Sequence, residues 1–132
     1  MKGKNNPFNI RNNRRNKWLG QIGSRNGFCS FCSLDHGIRA AAYILMISYR
    51  RFGICTIEGI INRFAPSSEN DTWNYIRYVC SVTGFLKSTQ LFETADYVKV
   101  LFAMSSMEGN PLSLEQIRHT LNLFRITPLK IA

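Results

Sequence analysis

The stretch SLDHGIRAAAYILMISYRRFG, residues 33–53, predicts that this chain is built from α-helices. Its apolar side chains recur every three or four residues, which places them on one face of a helix. These side chains are Ile38, Ala41, Ala42, Leu45, Met46 and Tyr49. Ser33 is suited to cap the start of the helix, and Gly53 can adopt the left-handed conformation that commonly ends one. We therefore predict an amphipathic helix between these two residues.

Signals for the start and end of four further helices follow along the chain. The predicted N-caps are Thr56, Asn70 or Asp71, Thr94 and Ser113, and the predicted stops are Pro66, Gly84 and Gly109. Proline acts as a stop because it drives the preceding residue out of the α region. Ser113 and Gln116 have the spacing of a capping box. These signals delimit short helices that pack into one small body.

The resulting prediction is a mainly α fold of about five helices in a single domain, residues 1–132. A chain of 132 residues is long enough to bury a sizeable core. Residues 1–33 are rich in Asn, Arg and Gly, and we expect an irregular or weakly extended basic segment that packs on a helical body of residues 34–126. Strand–helix alternation and internal repeats are absent from the sequence.

The net charge of +9 is concentrated at the N-terminus. Seven basic residues precede the first acid, Asp35: Lys2, Lys4, Arg11, Arg14, Arg15, Lys17 and Arg25. Long-range attraction reports the sign of a partner and not its identity, so cell wall, nucleic acid and acidic membrane surfaces all fit. A basic tail that only maintains solubility is the simpler alternative.

The cysteine pattern does not favour a metal site. Cys29 and Cys32 have C-x-x-C spacing, but no second such pair exists, and Cys55 and Cys80 stand alone in apolar segments. We expect neither a metal nor a cofactor. The longest apolar run, residues 40–47, is too short to span a bilayer, and the basic N-terminus lacks the apolar core of a secretory signal, so we expect a soluble chain without a membrane span.

Two acidic positions are candidates for chemistry. In the polar stretch of residues 63–75, capping explains Asp71 but leaves Glu69 without a structural reason. Glu108 is the last residue of a predicted helix, whose negative end disfavours an ionised carboxylate and so favours the protonated form that a general acid needs. A solvated glutamate at a frayed helix end is the alternative.

The N-terminal segment adds amide and indole groups that hydrogen-bond to sugars and stack on them. Asn9 and Trp18 are its candidates, and a turn and a core anchor explain them equally well. His36 and His119 lack a partner at metal or triad spacing, so nucleophilic catalysis has no support in the sequence.

The sequence resembles phage and prophage proteins that are usually labelled virion structural proteins. The shared motifs span most of the chain and are Asn5-Asn6-Pro7-x-Asn9-Ile10-Arg11, Trp18-x-Gly20, Gly27-Phe28-x-x-Phe31, His36-Gly37-Ile38-Arg39-Ala40 and Ala65-Pro66-x-x-Glu69-Asn70-Asp71-Thr72-x-x-Tyr75. This resemblance implies phage proteins as partners. It also implies synthesis in the bacterial cytoplasm, followed by association with the virion or release by lysis.

A second resemblance is to lytic transglycosylases and related lysozyme-like enzymes. Residues 103–111 look like the helix end that carries their catalytic glutamate, and residues 69–76 look like the helix whose tyrosine lines their cleft. Residues 5–11, Trp18 and the Phe28-x-x-Phe31 motif look like the stretch that follows the glutamate in bacterial glucosaminidases. Because the glutamate helix comes late in this chain, we hypothesise a circularly permuted lysozyme-like domain.

The second resemblance implies a glycosidase or lytic transglycosylase that acts on peptidoglycan. Glu108 is then the catalytic acid, and the substrate-binding residues are Tyr75, Glu69, Asp71, Asn9 and Trp18. This interpretation requires that Glu108 and Tyr75 meet in the fold. The alternatives are a non-catalytic virion-associated or wall-binding protein and a protein that binds nucleic acid through the basic N-terminus.

Overall fold

The computed structural model describes residues 1–131. It contains a two-stranded antiparallel hairpin, β1 (Gln21–Arg25) and β2 (Phe28–Phe31), followed by five helices. The first helix, α1, has three segments: α-helical Leu34–Tyr43, π-helical Ile44–Ser48 and α-helical Tyr49–Arg51. The others are α2 (Ile57–Phe64), α3 (Thr72–Thr83), α4 (Thr94–Met107) and α5 (Leu114–Phe124). The predicted mainly α fold of about five helices is confirmed.

Most helix ends lie where the sequence predicts them. The side chains of Ser33, Thr56, Asp71 and Ser113 each accept a backbone N–H from the residue three positions later. Gly84 ends α3 in the left-handed conformation, with φ of 78°. The predicted cap Thr94 is wrong: Glu93 occupies that position and forms a capping box with Asp96. An acidic side chain serves there because the N-terminal N–H groups of a helix attract negative charge.

The N-terminal segment is more ordered than the sequence analysis expects. Asn26 and Gly27 both have positive φ, 52° and 85°, and join the two strands. Asn-Gly is the pair that favours a type I′ hairpin turn, and residues 21–31 form a paired hairpin where the sequence predicts an irregular or weakly extended segment. Ahead of the hairpin, Phe8 is fully buried in the core. This segment therefore packs on the helices and contributes to their core.

A buried asparagine side chain and a close glycine contact hold the N-terminal segment in place. The fully buried Asn6 donates through Nδ2 to the carbonyls of Ile10 and Cys29, both at 2.9 Å, and accepts the Ile10 N–H at 2.9 Å. Gly37 lets α1 approach the segment, since a Cβ built there would lie 1.8 Å from the Asn5 carbonyl oxygen. These contacts fix the residues on either side of Asn9.

Candidate functional site

Tyr75 lies on the inner face of α3 and points toward the end of α4. Asp71 begins the helix by accepting the Asn74 N–H at 3.2 Å, and Tyr75 follows one turn later with 4% of its surface exposed. Its hydroxyl donates to Glu108 Oε2 at 2.8 Å. Burial, reinforced by the negative charge of Glu108 and by this hydrogen bond, raises the pKa of Tyr75 above its ordinary value. The phenol is therefore a stable donor to the carboxylate.

Glu108 is held from a second direction by the N-terminal segment. It follows α4 directly, and Gly109 then turns the chain with φ of 84°. Asn9 Nδ2 donates to Glu108 Oε1 at 3.0 Å and to its carbonyl oxygen at 3.2 Å. Asn110 Nδ2 donates to the Pro7 carbonyl at 3.1 Å. An amide and a phenol thus bind one oxygen each and fix the orientation of the carboxylate.

Glu108 borders an open cleft of about 340 Å³ between the N-terminal segment, α1 and the end of α2. Ile44 and Tyr49, at the two ends of the π-helical segment, form part of its wall. The lining also includes Phe8, Asn9, Phe28, Phe64, Ala65, Pro66, Glu69 and Asn70. Such a mixture of apolar surface and fixed polar groups is typical of small-ligand sites.

Basic side chains complete the lining of the cleft. They are Lys2, Arg11 and Arg63. Glu69 pairs with Arg11 at 3.5 Å, but the two side chains are 49% and 61% exposed, so the pair adds little stability. Burial raises the pKa of Tyr49 to about 12, and the nearby positive charge of Arg63 opposes this shift. The cleft therefore holds two carboxylates among three cations.

The structure brings together some of the sequence-predicted residues and separates others. Glu108, Tyr75 and Asn9 are joined by hydrogen bonds, and Glu69 lies in the same cleft. Asp71 is exposed and caps α3, and Trp18 packs edge-on against Tyr43 with ring centroids 5.9 Å apart. Neither is among the residues that line the cleft. Their substrate-binding role stays a prediction.

Several lining residues were missed as site candidates by the sequence analysis. Ile44 and Tyr49 come from a segment with no local signal for a site, and only the fold places them beside Glu108. Lys2 belongs to the N-terminal basic cluster and Phe28 to the motif shared with glucosaminidases, but neither signal marks the individual residue as part of the site. Arg63 lies in the polar stretch of residues 63–75, which is the one signal that finds it. Among residues 1–131, no three His, Cys, Asp or Glu side chains are placed to hold a metal ion, and no helix is long and apolar enough to cross a membrane.

The fold and site define a small, mainly helical protein with one clamped glutamate at a basic cleft. No protein-family model matches the chain. Over 120 residues, the chain is 38% identical to Protein P5 of Pseudoalteromonas phage PM2, and the match covers 86% of this chain and 74% of Protein P5. The chain therefore belongs to the family of this phage protein. The predicted resemblance to phage proteins is confirmed.

Proposed function

We propose that this chain is a peptidoglycan-cleaving glycosidase or lytic transglycosylase of phage origin, with Glu108 as its acid. The observation that supports the proposal is the convergence of Glu108, Tyr75 and Asn9. Tyr75 and Asn9 lie 33 and 99 residues from Glu108 along the chain. Glu108 and Asn9 line an open cleft, and Tyr75 is buried and is not among the lining residues. Two donors that orient one carboxylate at a cleft are a suitable arrangement for positioned proton transfer.

In the proposed reaction, protonated Glu108 donates its proton to the glycosidic oxygen as the bond between that oxygen and C1 breaks. The sugar ring carries the positive charge until water, or a hydroxyl of the sugar itself, attacks C1. The carboxylate of Glu108 then accepts the proton of the attacking group, which restores the acid. Tyr75 and Asn9 hold the carboxylate in place, and we assign Glu69, which lines the same cleft, to stabilising the charged ring.

The circularly permuted, lysozyme-like arrangement is part of the same proposal. The stretch that resembles residues 5–11 follows the glutamate along the chain in bacterial glucosaminidases. Here Asn9 contacts Glu108 and Pro7 accepts from Asn110, although about a hundred residues separate them. The two segments are thus neighbours in space as the permutation requires.

A second candidate function is glycan binding, or assembly with other phage proteins, without cleavage. It is favoured by the fact that both oxygens of Glu108 already accept hydrogen bonds from the protein. In this second candidate, the carboxylate fastens the N-terminal segment to α3 and α4 and takes no part in proton transfer. Wall binding by the basic N-terminal region needs no proton transfer.

The experiment that separates the two functions is digestion of purified peptidoglycan by the parent protein and by Glu108→Gln. Glutamine keeps the size of the side chain but cannot donate the proton of a carboxylic acid. Glu115→Gln is the matched control, since Glu115 is exposed in the first turn of α5. Release of soluble muropeptides that only Glu108→Gln loses supports cleavage. Binding without release by any variant supports the second candidate.

A further inference from the structure

The cationic lip of the cleft, defined as Lys2, Arg11 and Phe28, is a cluster that folding alone does not require. The Lys2 ammonium and the Arg11 guanidinium each lie 5.0 Å from the centre of the Phe28 ring. Two positive charges around one ring repel each other, and only Arg11 has an acidic partner. Two positive charges beside one ring raise the local positive potential, which attracts an anion.

The cationic lip is fixed and lies beside the glutamate. The Arg25 side chain donates to the carbonyls of Lys2 at 3.0 Å and Met1 at 3.3 Å, which holds the first residues against the hairpin. The Lys2 N–H donates to Asn9 Oδ1 at 3.3 Å. Because Asn9 also donates to Glu108 through Nδ2, one asparagine connects the cationic lip to the carboxylate.

Arg63 adds a third cation from the end of α2. It is exposed, lines the same cleft, and lies 5.8 Å from the ring of Phe52. Among residues 1–131, the side-chain ion pairs are Arg11–Glu69, Lys87–Glu58 and His119–Asp35, so neither Lys2 nor Arg63 has an acidic partner. Both cations remain accessible to a ligand in the cleft.

We propose that Lys2 and Arg63 form an anion-binding subsite that selects glycans carrying carboxylates over neutral glycans. The inference rests on the proposed function, and it narrows the substrate to peptidoglycan that retains its acidic peptide. Arginine presents a planar fork of donors that matches a carboxylate, and lysine adds a point charge. Arg11 is already paired with Glu69, so the two unpaired cations are available for this role.

The test compares the binding of two soluble probes by isothermal titration calorimetry. The acidic probe is the disaccharide N-acetylglucosaminyl-N-acetylmuramoyl tetrapeptide, and the neutral probe is N,N′-diacetylchitobiose. We expect the parent to bind the acidic probe about tenfold more tightly at low salt, from two partly exposed ion pairs. The double variant Lys2→Gln/Arg63→Gln should lose this preference, and high salt should weaken it in the parent.

The matched control is Arg77→Gln/Arg118→Gln, which removes the same charge from exposed helix positions outside the cleft. It should keep the preference of the parent. Equal affinity of the parent for the two probes, or an equal loss of preference in both double variants, would overturn the proposal of an anion-binding subsite. Because binding is measured without turnover, a parent that cleaves nothing refutes the enzymatic proposal while leaving this test intact.

Discussion

Replacing Tyr75 by Phe removes only the hydroxyl that binds Glu108. The tyrosine ring is 4% exposed, and its hydroxyl lies 2.8 Å from Glu108 Oε2. A hydrogen bond to a charged group contributes about 1.5–3 kcal/mol. Glu108 is only partly buried, so water can replace part of the lost interaction. We therefore expect Tyr75→Phe to lower the free energy of unfolding by about 1.5 kcal/mol.

Urea denaturation of Tyr75→Phe, Glu108→Ala and the double variant measures this interaction as a double-mutant cycle. Alanine is used because glutamine keeps an oxygen that can still accept the phenol. The expected coupling between the two residues is about 1 kcal/mol or more. Tyr78→Phe, on the same helix and 36% exposed, is the control and should change stability by less than about 0.5 kcal/mol. A coupling near zero, or equal effects of the two Tyr→Phe changes, would refute the clamp on Glu108.

Four further predictions concern the framework of the site and are measured by urea denaturation. Asn6→Ala should cost about 3 kcal/mol, because it removes three buried hydrogen bonds to the backbone of Ile10 and Cys29; a loss below about 1 kcal/mol contradicts this. Arg50→Met should cost about 2 kcal/mol, because two carbonyls and the Tyr97 hydroxyl lose their donor; an unchanged urea midpoint would contradict this. Gly37→Ala should cost more than about 2 kcal/mol, since its Cβ would collide with the Asn5 carbonyl, and wild-type stability would exclude that contact. Burial raises the pKa of Tyr49 to about 12 in the folded state, so the free energy of unfolding should fall as pH rises from about 10 toward 12. Tyr49→Phe should flatten this decline, and parallel pH profiles of the two proteins would refute the prediction.

The helices were predictable because their signals are local. Ser33 and Thr56 bind backbone N–H groups a few residues away, and apolar spacing within each helix fixes the buried face. The N-terminal hairpin also had a local signal, the Asn26-Gly27 turn, but β1 is mostly exposed and contains Gly23, so it lacks the alternation that usually reveals a strand. The sequence therefore predicts only an irregular or weakly extended segment over residues 1–33.

The site was predictable only where the resemblance linked distant segments. The resemblance to lysozyme-like enzymes requires that Glu108 and Tyr75 meet, and the two side chains form a hydrogen bond. The same reasoning placed Trp18 near the substrate, whereas in the structure it packs on Tyr43. Lys2 reaches the cleft through the backbone contact with Asn9 and through Arg25. Such contacts depend on tertiary packing, which no local pattern encodes.

The proposed catalytic role of Glu108 predicts a difference in the initial rate of muropeptide release from purified peptidoglycan. The parent and Glu115→Gln should release muropeptides at similar rates. Glu108→Gln, confirmed as folded by its circular dichroism spectrum, should be slower by about a hundredfold or more, the usual contribution of a positioned acid. Equal release rates for Glu108→Gln and the parent, or no release by the parent, would contradict a catalytic role for Glu108.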